Sequence, residues 1–229
     1  MYQPYKVPSN SPAFYNRIVK RIPGELKGMD TDIGIAGVLS TTNTNGNVIC
    51  LNLVQQGSGS WNRVGRKTHL KSISLSGYAS CLMQQSNGDW VGNQLRMLLV
   101  WDKQPSGNAL PTFDTIFGDT DQTGAEATTV WSPPKFDNMD RFVVLKEWRE
   151  VYTPQGSVFQ NLDTHLVYKP IKCYLPLNQL ESVYSGQSNP MTISDISTGA
   201  LYFVARAVNN DVNTSACTIV GKARLRYSD

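Results

Sequence analysis

Hydrophobic and polar residues alternate along most of this chain with the two-residue period of β-strands, and no segment shows a strong helical period. In the segment that follows residue 66, one face consists of Lys67, His69, Lys71, Ile73 and Leu75. This pattern predicts a strand from 67 to about 79 whose basic end is solvated and whose far end enters a core. Residues 95–101 and 199–208 are apolar on both faces, which predicts two central, fully covered strands.

Five further segments have strand-like patterns: 25–39, 48–54, 141–153, 159–177 and 216–227. We expect the fourth of these to form one long strand or two strands broken at Pro170, and to end at Pro176, because proline cannot donate to a ladder. Residues 178–198 are polar and predict a loop or short helix. The acidic, proline-containing segment 118–138 predicts a long excursion that serves as a subunit contact or an outer surface.

About eight strands joined by turns and a few long loops predict an all-β protein. The expected fold is a single jelly-roll β-sandwich of eight antiparallel strands in two sheets with long connecting loops, and an immunoglobulin-like sandwich is the alternative. Four prolines in residues 1–24 predict an extended N-terminal arm. Without an internal repeat or linker, residues 25–229 are predicted to form one jelly-roll domain.

Composition supports a folded protein and weakens a global electrostatic role. The 229 residues are 40% hydrophobic and only 17% charged, which excludes an intrinsically disordered chain. The formal net charge of +3 is small, so any binding to nucleic acid must come from local clusters. Neither a secretory signal core nor a run of about 18 apolar residues occurs, so we expect neither secretion nor membrane insertion.

The four cysteines are widely spaced and lie in apolar or strand-like contexts: Cys50, Cys81, Cys173 and Cys217. None forms a Cys-x-x-Cys pair or lies near a histidine, so the pattern does not match a zinc site. We therefore interpret all four as buried free thiols in a reducing, intracellular compartment.

Few residues suit catalysis or metal binding. The chain contains only two histidines, and Asp163 with His165 on one strand face is better explained as an ordinary surface or interface pair than as a catalytic base. Asp119 lies close to Asp121 in the sequence, and Asp137 lies close to Asp140. Such acid pairs can bind calcium, but we interpret these as solvated loop residues. The sequence therefore predicts no enzyme, no cofactor and no metal site.

Cationic residues cluster in two places. A glycine-rich loop at 56–66 runs into the strand at Lys67 and carries Arg63 and Arg66, which we expect to face either nucleic acid or a neighbouring subunit. Along the last strand, three cations spaced by two project from one face, as a phosphate-binding row or as a solvated edge. The candidate nucleic-acid-binding residues are Arg17, Lys20, Arg21, Lys27, Arg63, Arg66, Lys67, Lys71, Lys222, Arg224 and Arg226.

Three motifs occur in order: ELKGMDTDIG at 25–34, WNRVGRKTHLKSISLSG at 61–77 and RMLLVWDKQPSGNALPTFDTIF at 96–117. Together they resemble capsid proteins of the small circular single-stranded DNA viruses that encode a rolling-circle replication protein, relatives of circoviruses and geminiviruses. The resemblance spans roughly residues 25–153. Its most specific parts are the Arg-x-Gly-Arg-Lys element at 63–67 and the strand end at 100–105.

This resemblance implies a jelly-roll subunit that self-assembles into a small icosahedral (T=1) shell around circular single-stranded DNA. Loops would face outward, the arm inward, and the protein would occur in the virion and, during assembly, in the host nucleus. Such coats begin with a long polybasic arm, whereas this arm has only scattered cations. The alternative function is a soluble jelly-roll carbohydrate-binding module, suggested by Trp61, Trp90 and Trp131 in or beside probable loops.

Overall fold

The computed structural model describes residues 26–35, 46–86, 89–90, 93–105, 107, 109–120, 126–152, 164–209 and 217–229. The predicted arm at 1–24 lies outside the described residues. Within them the chain is dominated by β-strands, as its two-residue period predicts.

The strands are β1 (Lys27–Asp32), β2 (Asn47–Cys50), β3 (Lys67–Ser86), β4 (Asp89–Trp90), β5 (Asn93–Asp102), β6 (Asp119–Thr120), β7 (Glu126–Ala127), β8 (Phe142–Tyr152), β9 (Thr164–Tyr184), β10 (Ile196–Thr198), β11 (Ala200–Asn209) and β12 (Cys217–Ser228). One short helix, α1 (Phe113–Ile116), and two 3₁₀ turns, Phe136–Asn138 and Ile193–Asp195, complete the described elements.

Two antiparallel sheets form the sandwich. Sheet one has the order β1-β12-β3-β9-β10, with β4 paired to β3, and sheet two has the order β2-β11-β5-β8. The sandwich is built from eight principal strands: β1, β2, β3, β5, β8, β9, β11 and β12. In chain order they belong to sheets one, two, one, two, two, one, two and one, which is the jelly-roll connection. The predicted all-β jelly-roll sandwich is confirmed.

The strands that are apolar on both faces lie at the centre of sheet two. β5 pairs with β11 on one side and with β8 on the other, and Leu98 and Leu99 are both fully buried. One face of β5 packs into the sandwich core. The other face is covered by the whole segment between β5 and β8, which we call the excursion from here on. Its Phe113 and Phe117 are also fully buried. Cover on both sides explains why these strands carry no polar alternation.

Of the two alternatives for the fourth segment, the structure shows the single long strand, because β9 has no break at Pro170. The predicted end at Pro176 is wrong, as is the predicted loop or helix immediately after it. β9 continues through both prolines to Tyr184. β10 pairs only with the last two residues of β9, so β9 is an edge strand at both prolines, where a missing backbone donor is tolerated. A bulge after Pro176, with positive φ at Asn178 and Gln179, carries the chain onward.

The prediction of four free thiols is also wrong. Cys81 and Cys217 are direct partners across β3 and β12, with Cα atoms 4.1 Å apart, and their sulfurs form a disulfide. Sequence spacing of 136 residues could not reveal a pairing that depends on strand register. Cys50 and Cys173 stay free, and burial raises the pKa of the Cys50 thiol to about 12.

Air-oxidised protein, unfolded in denaturant without reductant, should therefore expose two reactive thiols, rising to four after reduction. Mass spectrometry of alkylated protein gives the count. The Cys81→Ser/Cys217→Ser variant is the control, because its count should be two with or without reductant. Four labelled thiols in unreduced wild-type protein would contradict the pairing.

Candidate nucleic-acid interface

The loop that precedes β3 is a compact structure built on its own backbone. The amide of Gly57 donates to the carbonyl of Arg63 (3.0 Å), and the amide of Arg63 donates to Gln55 (2.9 Å). A tight turn within it is closed by the bond from the Asn62 amide to the Gly59 carbonyl (2.9 Å). The predicted turn chemistry of the glycine-rich loop therefore gives a defined conformation.

Arg63 is the anchor of this loop, and its side chain is 1% exposed. The guanidinium donates to the carbonyls of Val54 (3.0 Å), Gly65 (2.7 Å) and Gly186 (2.7 Å). It also lies 4.4 Å from the ring centroid of Tyr184 at the end of β9. Burial lowers the pKa of Arg63, although an arginine stays charged. We leave it out of the candidate surface because its donors are already engaged inside the protein.

Lys27 is similarly enclosed. Its ammonium lies 3.0 Å from a carboxylate oxygen of Asp229, and both side chains are about 5% exposed or less. Burial acts to raise the pKa of Asp229, but hydrogen bonds from the Val64 amide and Lys27 outweigh it and hold that pKa below its usual range. Lys27 therefore helps to close one end of sheet one, and we do not include it in the candidate surface.

The remaining cations near the loop are more accessible. Arg66 is exposed, and Lys67 makes an exposed ion pair with Glu181 (2.9 Å) that contributes little stability. Lys71 is half-buried at the bulge where β3 meets β12. Arg17, Lys20 and Arg21 lie outside the described residues.

The three cations of β12 project from the outer face of sheet one, as the alternation predicts. Lys222, Arg224 and Arg226 are exposed, while Ala223 and Leu225 between them are buried. Their neighbours on β3 are Ser76, Ser74 and Ser72 in that order. Small serines do not cover the cations, so this row is open to a ligand.

Sequence reasoning missed the part of this face that β9 and the middle of β3 supply. Tyr168, Lys172 and Tyr174 are exposed at alternate positions of β9, and Tyr174 is 67% exposed. Tyr78 of β3 lies edge-on to Tyr168, with ring centroids 5.5 Å apart. The alternating pattern was present in the sequence, but only the strand register places these β9 side chains on the same face as the β12 cations, with β3 between the two strands. We call Tyr78, Tyr168, Lys172, Tyr174, Lys222, Arg224 and Arg226 together the basic face.

An ion pair with one carboxylate reduces the positive charge of the basic face. Arg224 makes two hydrogen bonds of 2.7 Å to Asp30 on β1, and these bonds hold the pKa of Asp30 below its usual range. Among the described residues, Lys172, Lys222 and Arg226 make no ion pair. The basic face therefore has three cations without an ion pair among the described residues, although Lys222 lies across from Asp32 and is close enough to Asp30 to interact with its charge.

The two arginines on the central strands of sheet two, Arg96 and Arg206, are used internally. Arg96 donates to the carbonyls of Val130 (3.0 Å) and Ser132 (2.7 Å) in the excursion. Arg206 donates to Asp114 (3.2 Å) and to the carbonyl of Thr128 (2.8 Å). Both arginines are buried, because the excursion folds over the outer face of this sheet. Across the described residues, the open cationic sheet face is the one on sheet one.

The structure offers little support for the alternative chemistries. Among the described residues, no group of three or more His, Cys, Asp or Glu side chains is placed to hold a metal ion. The side chains of Asp163 and His165 lie outside the description. Trp61 borders the basic face, whereas the indole N–H of Trp131 donates to the Gln94 side chain on sheet two. The two rings therefore do not form one surface on which a sugar could stack. In the part of the chain described, no helix is long and apolar enough to span a bilayer.

A comparison with protein families matches residues 34–229 to the model described as "Geminivirus coat protein/nuclear export factor BR1 family". The chain belongs to the geminivirus coat protein family. The match covers most of the sequence and includes every described strand except β1. It confirms the resemblance to capsid proteins of circular single-stranded DNA viruses, and it extends beyond residue 153, where the sequence resemblance is weak.

Curated relatives agree. The capsid protein of Tomato yellow leaf curl Sardinia virus is 29% identical to this chain over 134 residues, which is 54% of this chain and 49% of the relative. The capsid proteins of its Spain-1 and Spain-2 isolates match to the same extent. This coat protein family member thus spans about half the length of the curated relatives it matches.

Replacing Arg63 with methionine should strongly destabilise this coat protein. The apolar side chain would leave the carbonyls of Val54, Gly65 and Gly186 buried without their donor, at a cost of about 3 kcal/mol or more. Chemical denaturation measures the loss. Arg66→Met, in the same loop but exposed, is the matched control and should change stability by less than about 0.5 kcal/mol. Equal effects of the two substitutions would show that Arg63 is not the anchor.

Proposed function

We propose that this chain is a viral capsid protein that self-assembles into a small icosahedral (T=1) shell and packages circular single-stranded DNA against its basic face. Family membership supports the capsid role. The observation that carries the DNA assignment is the asymmetry of the sandwich, in which sheet two is covered by the excursion and sheet one is bare and cationic. In a shell, the basic face would line the interior and the excursion would lie toward the outside.

Exposed apolar side chains on the excursion support assembly. Phe136 is 89% exposed and Met139 is 51% exposed, both beside the 3₁₀ turn that precedes β8. Val143 at the start of β8 is also exposed. Large apolar side chains in contact with water are costly, and burial against other copies removes that cost. Heterologous contacts of this kind close into rings about the axes of a shell.

The basic face suits a single strand of any sequence. Lys172, Lys222 and Arg226 can neutralise phosphates, which gives salt-sensitive binding without base readout. Tyr168 and Tyr174 present aromatic rings on which bases of a single strand can stack. Arg66 and Lys67, together with Lys71 and the arm residues Arg17, Lys20 and Arg21, remain proposed contributors to the same interior. We also propose location in the virion and, during assembly, in the host nucleus.

Purified protein should form closed particles of uniform size under some condition of salt and pH. Dynamic light scattering and negative-stain microscopy measure the particles, and the ratio of absorbance at nucleic-acid and protein wavelengths reports co-purified DNA. A monomer or small oligomer under every condition would contradict assembly and would favour the carbohydrate-binding alternative.

Neutralising the basic face should weaken binding to single-stranded DNA and make it less salt-dependent. In Lys222→Gln/Arg226→Gln, the slope of the logarithm of the binding constant against the logarithm of salt should fall in magnitude by about 1.4, or about 0.7 per lost phosphate contact. Fluorescence anisotropy with a labelled oligothymidine gives this slope. Lys103→Gln/Lys146→Gln removes the same charge from exposed positions away from the basic face and is the matched control. Identical slopes in both variants would exclude the basic face as the DNA site.

The opposite change should have the opposite effect. Asp30→Asn removes a carboxylate and frees Arg224 from its two hydrogen bonds, so this variant should bind the same oligonucleotide more tightly at low salt. The same anisotropy titration measures the difference. Weaker binding by Asp30→Asn would contradict this expectation. It would mean that DNA binding needs Arg224 in the position that Asp30 holds it in.

A further inference from the structure

An open groove of about 520 Å³ lies where the basic face meets the loop before β3. Its lining residues are Leu26, Lys27, Gly28, Asp30, Trp61, Arg224 and Arg226. A volume of this size is ample for one nucleotide and lies within the usual range for small-ligand sites. The groove continues the cation row of β12 beyond its Arg226 end.

The indole of Trp61 is exposed but held in position. It is 61% exposed, which is unusual for tryptophan, and a Cβ added at Gly59 would lie only 3.3 Å from its Cε2 atom. The indole therefore packs against the bare backbone of Gly59. The loop that carries both residues is anchored through Arg63. A ring held in this way loses little conformational entropy when a ligand stacks on it.

The chemistry of the groove favours a nucleotide. Arg226 makes no ion pair with any described residue, so its guanidinium is available to a phosphate. Leu26 is 54% exposed and, with Trp61, supplies an apolar surface for a flat base. An aromatic ring beside an unpaired arginine is the combination with which proteins bind single-stranded nucleic acid.

We propose that this groove is a nucleotide subsite in which one base of single-stranded DNA stacks on Trp61 while its phosphate contacts Arg226. The inference rests on the proposed packaging function and deepens it. Successive cations on β12 are two residues apart, or about 6.8 Å, close to the separation of phosphates in an extended single strand. From the groove, the DNA strand continues along β12 over Arg224 to Lys222.

Stacking and charge neutralisation can be separated by the salt dependence of binding. Trp61→Ala should bind oligothymidine roughly 5- to 150-fold more weakly, the range for loss of one stacked base, with an unchanged salt slope. Arg226→Gln should instead reduce the slope by about 0.7. Trp61→Phe should retain most of the affinity because it keeps an aromatic ring. Trp131→Ala, an exposed tryptophan on the side of sheet two, is the matched control and should bind like wild type.

Trp61→Ala with wild-type affinity would overturn the subsite, as would a Trp61→Phe variant as weak as Trp61→Ala. A reduced salt slope in Trp61→Ala would also overturn it, because the tryptophan would then act only by positioning phosphate contacts. These outcomes differ from failure of the packaging function, in which wild-type protein itself would show no salt-dependent binding to single-stranded DNA. Circular dichroism and the denaturation midpoint check that each variant is folded.

Discussion

The buried guanidinium of Arg63 is the interaction on which the organisation of the basic end of this protein depends. Its three hydrogen bonds join the chain before the loop, the loop itself and the segment after β9. A cation without an ion-paired carboxylate is expensive to enclose, so the stability of this arrangement comes from a hydrogen bond at each of the three guanidinium nitrogens and from the ring of Tyr184. Because Arg63 anchors it, the loop fixes the position of Trp61 and of the start of β3 in sheet one.

The two sheets treat their arginines in opposite ways, and this difference gives the subunit its two sides. On sheet two, Arg96 and Arg206 bind carbonyls of the excursion and stack on Phe117 and Phe113, so their charge stabilises a loop. On sheet one, β12 has serines of β3 on one side and Asp30 and Asp32 of β1 on the other, and its cations stay exposed to water. The small net charge therefore does not describe how charge is distributed over the two sheets.

The two-residue period predicted the jelly roll, the central strands and the cation row of β12, because each depends on alternation within one strand. Features that depend on register between strands were missed: the Cys81–Cys217 disulfide and the tyrosines of β9, which share the face of the β12 cations across β3. Arg63 was assigned to a surface because a cation in a glycine-rich loop is usually solvated, and only its three carbonyl partners show otherwise. The rule that proline ends a strand failed at Pro176, since β9 has no neighbour there on its outer side.

That open edge of β9 has a consequence for how copies can meet. A strand of 21 residues that, among the described residues, is unpaired on its outer side except at Val183 and Tyr184 would ordinarily be a template for sheet extension from one molecule into the next, the route to fibres and amorphous aggregates. Pro170 and Pro176 remove two backbone donors from the strand, and the bulge after Pro176 twists it out of line. Edge-to-edge pairing along β9 is therefore disfavoured, so contacts between copies would have to form through side-chain surfaces and not through a continuous backbone ladder.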